Sequence, residues 1–133
     1  MGIVLLAMVV SVVHYVDNYS AYADYPRSES IPNPSQGLIG GAWFFFTAFA
    51  LAGLALLRAG RRTAAGVCLA VYSGSGLVGI GHYAVGGTSV FPWWRHAHVI
   101  ADIALGFAVL ACALWLVRAE RPARAGAQAP AGR

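Results

Sequence analysis

Four apolar runs, each about the length of a membrane-crossing helix and nearly free of charge, decide what this chain can fold into. They extend from Ile3 to about Tyr22, from Leu38 to Leu57, from Ala64 to about Val85 and from about Trp93 to Val117. An α-helix of about 18 or more such residues crosses ~30 Å of hydrocarbon, so each run is long enough to span a bilayer. The breaks between them are chemically consistent. Pro26, Pro32, Pro34 and Gly37 mark the first connection, Arg58 to Thr63 a short basic turn, and Gly86, Gly87 and Pro92 the third connection. Composition agrees: of 133 residues 59% are hydrophobic and only 11% charged, far from the averages of water-soluble domains. The expected fold class is all-α, an integral membrane four-helix bundle, occupying 1–118 and followed by a disordered cytoplasmic tail, 119–133, of Ala, Pro, Gly and Arg.

Other ways of reading the runs fail on pattern. A β-barrel needs segments of about ten residues alternating apolar and polar, and these runs are apolar on all sides. Ala21-Tyr22-Ala23 has the small-x-small form of a signal-peptide cleavage site, yet no Lys or Arg precedes the apolar stretch, and His14 and Asp17 interrupt it. The first run is therefore read as a retained span.

Arginine sets the expected orientation. The chain has nine Arg and no Lys. Arg58, Arg61 and Arg62 lie in the second connection and Arg118, Arg121, Arg124 and Arg133 in the tail, against Arg27 and Arg95 on the other side. Basic residues in short loops are retained in the cytoplasm, so both termini are expected there. The net charge of +4 then has its explanation in topology and in attraction to anionic lipid, and no nucleic-acid partner is expected. Cys68 and Cys112 form no C-x-x-C pair and read as small buried hydrophobes. Gly74-Ser75-Gly76-Leu77-Val78-Gly79 matches the dinucleotide fingerprint letter for letter, but it sits inside an apolar span, with no strand before it. Ser75 and Gly79 instead have the small-xxx-small spacing that lets helices approach closely.

The information about function lies in the ionisable groups within the spans, because such groups are costly in hydrocarbon, at least about 2.5 kcal/mol for Asp at a helix centre. They are His14, Asp17, His82, His98 and Asp102, with Arg95 and His96 at the rim. Helical rise puts His14 and Asp17 roughly 13 and 9 Å below the outer surface, and His98 and Asp102 about 7 and 13 Å below it. His82, about 27 Å along the third run, falls near the same surface, level with His96. Three helices thus supply imidazoles or carboxylates to one layer, while the second, with Trp43 and Thr47, reads as scaffold.

Imidazole and carboxylate donors from separate helices suit Zn²⁺, Cu²⁺ or Fe²⁺. The candidate metal ligands are His14, Asp17, His82, His98, Asp102 and His96, with Asp102 or Asn18 ligating directly or orienting an imidazole. The expectation is a small multi-pass protein of the cell membrane whose His/Asp site faces the extracytoplasmic side and binds a transition metal for catalysis or metal handling. Three alternatives stand beside it. A b-type haem between two histidines would make an electron-transfer protein. A polar network pairing Arg95 with Asp102 or Asp17 would lock the bundle of a non-catalytic subunit. A His–Asp pair would serve metal-free acid/base chemistry. Tyr15, Tyr19, Tyr22, Tyr25, Phe91, Trp93 and Trp94 form an aromatic belt or, with 23–37 as a lid, wall a pocket for a lipidic or quinone-like ligand. The packing glycines leave room for a homo-oligomer or a larger membrane complex.

Overall fold

The structure, a computed structural model, describes residues 1–30 and 32–127, with side chains through Ala119. Among the described residues it is helical with no strand. The helices are α1 (Gly2–Ser20), α2 (Gln36–Arg58), α3 (Arg62–Leu77), α4 (Ile80–Ala84) and α5 (Trp93–Ala127), with short 3-10 turns at Tyr22–Asp24 and Thr88–Val90. Four helical stretches are long and apolar enough to cross a membrane: Gly2–Ser20, Gln36–Arg58, Arg62–Ala84 and Trp93–Ala119. Their bounds fall within a few residues of the expected runs. Helix α5 continues past the expected end at Val117, and the rest of the tail, 128–133, lies outside the described residues.

Local chemistry explains the boundaries. Ser35 caps α2, its Oγ accepting the Leu38 amide at 3.2 Å. The turn from α2 to α3 passes through Gly60 at φ 73°, a left-handed conformation that side chains resist. The third span breaks at Val78 and Gly79 because glycines at 74, 76, 79 and 81 weaken the helix there. Gly76 has a packing reason as well: a Cβ there would collide with the carbonyl oxygen of Asp102 and lie 3.2 Å from the Cα of Gly106. Backbones of α3 and α5 therefore meet at Gly76 and Gly106, a close approach that small residues allow, rather than at the Ser75–Gly79 spacing.

The long helices form a ring in which α5 packs along α3 and α1, and α2 along α3 and α1, while α1 and α3 face each other across the diagonal and barely touch. The half holding the N-terminus and the 58–62 turn is packed with Val4, Ala7, Ala50, Leu54, Leu69, Val109, Ala113 and Leu116. The opposite half is different, with buried Ser11, His14, Asn18, Ser75, Arg95 and Asp102. The outer surface is apolar all round: Val9, Val13, Val16, Leu38, Phe44, Leu51, Val67, Ile100, Phe107 and Trp115 are each more than half exposed.

Candidate functional site

The site is assembled at the end of the bundle where the 21–35 and 85–92 connections lie, and it divides into two clusters. The deeper one joins α1, α4 and α5. His14, 2% exposed, has its Nδ1 2.8 Å from the Asp102 carboxylate, an ion-pair contact without the alignment of a hydrogen bond. Its Nε2 lies 3.3 Å from His82 Nε2 across the diagonal gap, and the same His82 nitrogen is 3.0 Å from the side-chain amide of Asn18, one turn after His14. Gly79 makes this approach feasible, because a Cβ there would sit 3.1 Å from the His14 ring. The His98 ring packs 5.6 Å, centre to centre, from that of His14, and both of its nitrogens are buried without a hydrogen-bond partner.

The outer cluster is built on Asp17. Arg95 donates to it through Nε at 2.9 Å and Nη2 at 3.2 Å, the Tyr25 hydroxyl donates at 2.5 Å, and His98 Nε2 stands 3.3 Å away. The Arg95 guanidinium also lies over the rings of Tyr25, Phe91 and Trp94 and 3.7 Å from Asp24. A delocalised cation held against a carboxylate and three aromatic faces is well compensated for its loss of water. Burial, and then the hydrogen bond to Asp17, push the Tyr25 phenol above its usual value, so it acts as a neutral donor.

No protein-family model, curated protein or solved structure matches this chain. The chemistry therefore rests on the residues themselves.

Of the six candidate ligands, His14, His82 and Asp102 converge, with His98 beside them. Asp17 is taken up by Arg95 and Tyr25. His96 turns to another side, where its Nδ1 meets the Tyr83 hydroxyl at 3.0 Å. Among the described residues no three His, Cys, Asp or Glu side chains are drawn together as a metal-holding group. Asp102 supports the imidazole of α1, not that of His98 on its own helix. The sequence reading did not single out Tyr25 as part of the polar layer. Its ring rests 4.7 Å from that of His82 and its hydroxyl completes the Asp17 cluster, although it lies beyond the end of α1. The Tyr–Pro pair at 25–26 was the available signal, since it turns the chain back over the helix end.

Two cavities adjoin the deeper cluster. One, of about 350 Å³, lies between α1, α2 and α4 and is lined by His14, Asn18, Leu38, Ala42, Phe46 and Val78 among others. A second, of about 200 Å³, lies beneath the 22–34 connection and shares Asn18, Pro34, Ile39, Val78 and His82 with the first.

Proposed function

We propose that this is a multi-pass membrane protein with both termini cytoplasmic, whose His14–His82 pair binds a transition-metal ion near the extracytoplasmic face, for catalysis or metal handling. Support for insertion comes from the distribution of side chains, apolar outside and polar within, the reverse of what water would select.

The observation that carries the metal reading is the pair of Nε2 atoms 3.3 Å apart with Asp102 behind one of them. An ionised Asp102 favours the proton on His14 Nδ1, which leaves a lone pair on Nε2 facing His82. His82 Nε2 in turn faces both His14 and the Asn18 amide, and one ring nitrogen has a single lone pair or a single proton to offer two neighbours. An ion bound at about 2.0–2.1 Å to both imidazoles in a near-tetrahedral geometry requires about this nitrogen separation. Asn18, with its amide turned to present oxygen, supplies a third donor. The remaining position is open to water or substrate, where the ion would act as a Lewis acid.

The Asp17–Arg95 cluster favours a second role alongside the first. Every charge in it is paired, so it serves as the polar lock that ties α1, α5 and the first connection together.

The test is elemental analysis of detergent-purified protein, wild type beside His14→Gln, His82→Gln, Asp102→Asn and His96→Ala, each checked by size exclusion and far-UV dichroism. About one equivalent of metal is expected in wild type and in His96→Ala, with loss in the two glutamine variants. Asp102→Asn is expected to bind metal about 10–100-fold more weakly, as an orienting group should. Metal-free wild type that stays metal-free after incubation with Zn²⁺, Cu²⁺ and Fe²⁺ would remove the reading.

A further inference from the structure

We infer that the cavity between α1, α2 and α4 is the binding site for a lipophile with a neutral, oxygen-bearing head, whose tail enters from the membrane and whose carbonyl or hydroxyl reaches the His14–His82–Asn18 cluster. The inference rests on the site reading above and extends it to a substrate class.

The first support is the lining. Of the cavity's walls, Leu38, Ile39, Ala42, Phe46 and Val78 are apolar, while His14 and Asn18, only 2% and 8% exposed, and His82 gather its polar groups. An apolar chamber with a few convergent polar groups is the usual form of a small-molecule site, and about 350 Å³ lies within the common range of about 300–1,000 Å³. The second is access. Leu38 and Val78 line the cavity and are also 61% and 55% exposed on the apolar outer face, so it opens sideways among residues that suit hydrocarbon. A tail can follow that route without crossing water.

The third support concerns charge. Among the described residues no Arg or Lys lines the inner cavity; Arg27 lines the outer one and lies over the Tyr22 ring, while Arg95 is committed to Asp17. A phosphate or carboxylate head would meet no cation at the inner end and would face Asp102 behind His14. A carbonyl or hydroxyl oxygen instead accepts from the Asn18 amide or occupies the open position of an ion on the imidazoles. Isoprenoid quinones and long-chain aldehydes or alcohols share this chemistry.

Native mass spectrometry of protein released from detergent micelles tests it, with decyl-benzoquinone, dodecanal and dodecanol as probes and laurate as the anionic control. Wild type and the folded variants Ala42→Phe and Val78→Phe are compared, with metal content measured on each sample. Ala42→Phe fills the inner wall, and Val78→Phe narrows the entrance at an exposed position where folding tolerates bulk. The expected result is saturable 1:1 binding of at least one neutral probe, at least tenfold weaker in both variants while their metal content matches wild type. The best-bound probe separates quinone from aldehyde or alcohol. Absence of saturable binding to folded wild type, equal binding of laurate, or binding unaffected by either variant would overturn the inference. Binding and blockade in protein that takes up no metal on incubation with Zn²⁺, Cu²⁺ and Fe²⁺ would sink the metal reading alone, whereas metal without binding would sink this one alone.

Discussion

Replacing Asp17 and Arg95 singly and together separates a polar lock from a ligand-holding group. Asp17 accepts both Arg95 nitrogens and the Tyr25 hydroxyl, with the two charged side chains only 12% and 8% exposed. Removing one partner of a buried ion pair typically costs about 3–5 kcal/mol because the other is left uncompensated. Arg95 would retain Asp24 at 3.7 Å and its aromatic faces, and Asp17 would retain Tyr25, so the lower end of the range applies to each. Asp17→Leu and Arg95→Met are therefore each expected to destabilise by about 3 kcal/mol. The double variant leaves no stranded charge and strands only the Tyr25 hydroxyl, which costs about 1–3 kcal/mol, so it should lose about that much instead of the additive sum of about 6. Reversible unfolding in mixed micelles of sodium dodecyl sulfate and a mild detergent, followed by tryptophan fluorescence, measures all four corners of the cycle. A double variant as unstable as the sum of the singles would show that the pair is not coupled, and singles within about 0.5 kcal/mol of wild type would show that it is not a lock.

Gly76→Ala should destabilise the bundle by at least about 1–3 kcal/mol, since its methyl group meets backbone that cannot rotate away, whereas Gly41→Ala, with open space at the Cβ position, should be neutral or gain about 0.5–1 kcal/mol; the same unfolding assay compares them. Tyr25 gives a pH signature. Its folded pKa is raised above the ordinary 10.0, so its contribution is fully present below pH 10 and is lost as pH rises beyond that value toward the folded pKa. Unfolding free energy should thus fall with pH above about 10, and Tyr25→Phe should flatten that slope; an unchanged slope would refute the assignment.

Much of the fold was legible because helices long and apolar enough to cross a bilayer obey strict rules of length and composition. Run length and the absence of charge located four candidate spans to within a few residues, and Gly and Pro marked the connections. Helical rise put His14 and Asp102 at one level, where they do meet, but it placed His82 higher, level with His96; the structure brings His82 to His14 because the third span breaks at Val78–Gly79 and does not rise as one straight helix. The rejection of the glycine motif as a nucleotide loop also followed from context, and Gly76 against Gly106 shows what the small residues do. The split at Val78–Gly79 was not read, because hydropathy is blind to a local loss of helical hydrogen bonds where glycines cluster.

Which acid serves which histidine was beyond reach for a different reason. Spacing along one helix tells which residues share a face, but partnership across helices depends on how each is rotated about its own axis. Arg95, His98 and Asp102 share a stripe on α5, which makes an Arg95–Asp102 pair as plausible on spacing as the observed Arg95–Asp17 pair. The contact of Gly76 with the backbone of Asp102 and Gly106 brings α5 so close to α3 that little rotational freedom remains. That rotation carries the Asp102 carboxylate to His14, while Arg95, two turns nearer the helix start, reaches Asp17 and the connection above it. The same glycine that closes the α3–α5 seam therefore sets which carboxylate orients an imidazole and which one neutralises an arginine. A substitution at Gly76, by pressing on the Asp102 backbone, should consequently disturb the His14–Asp102 contact without changing either side chain.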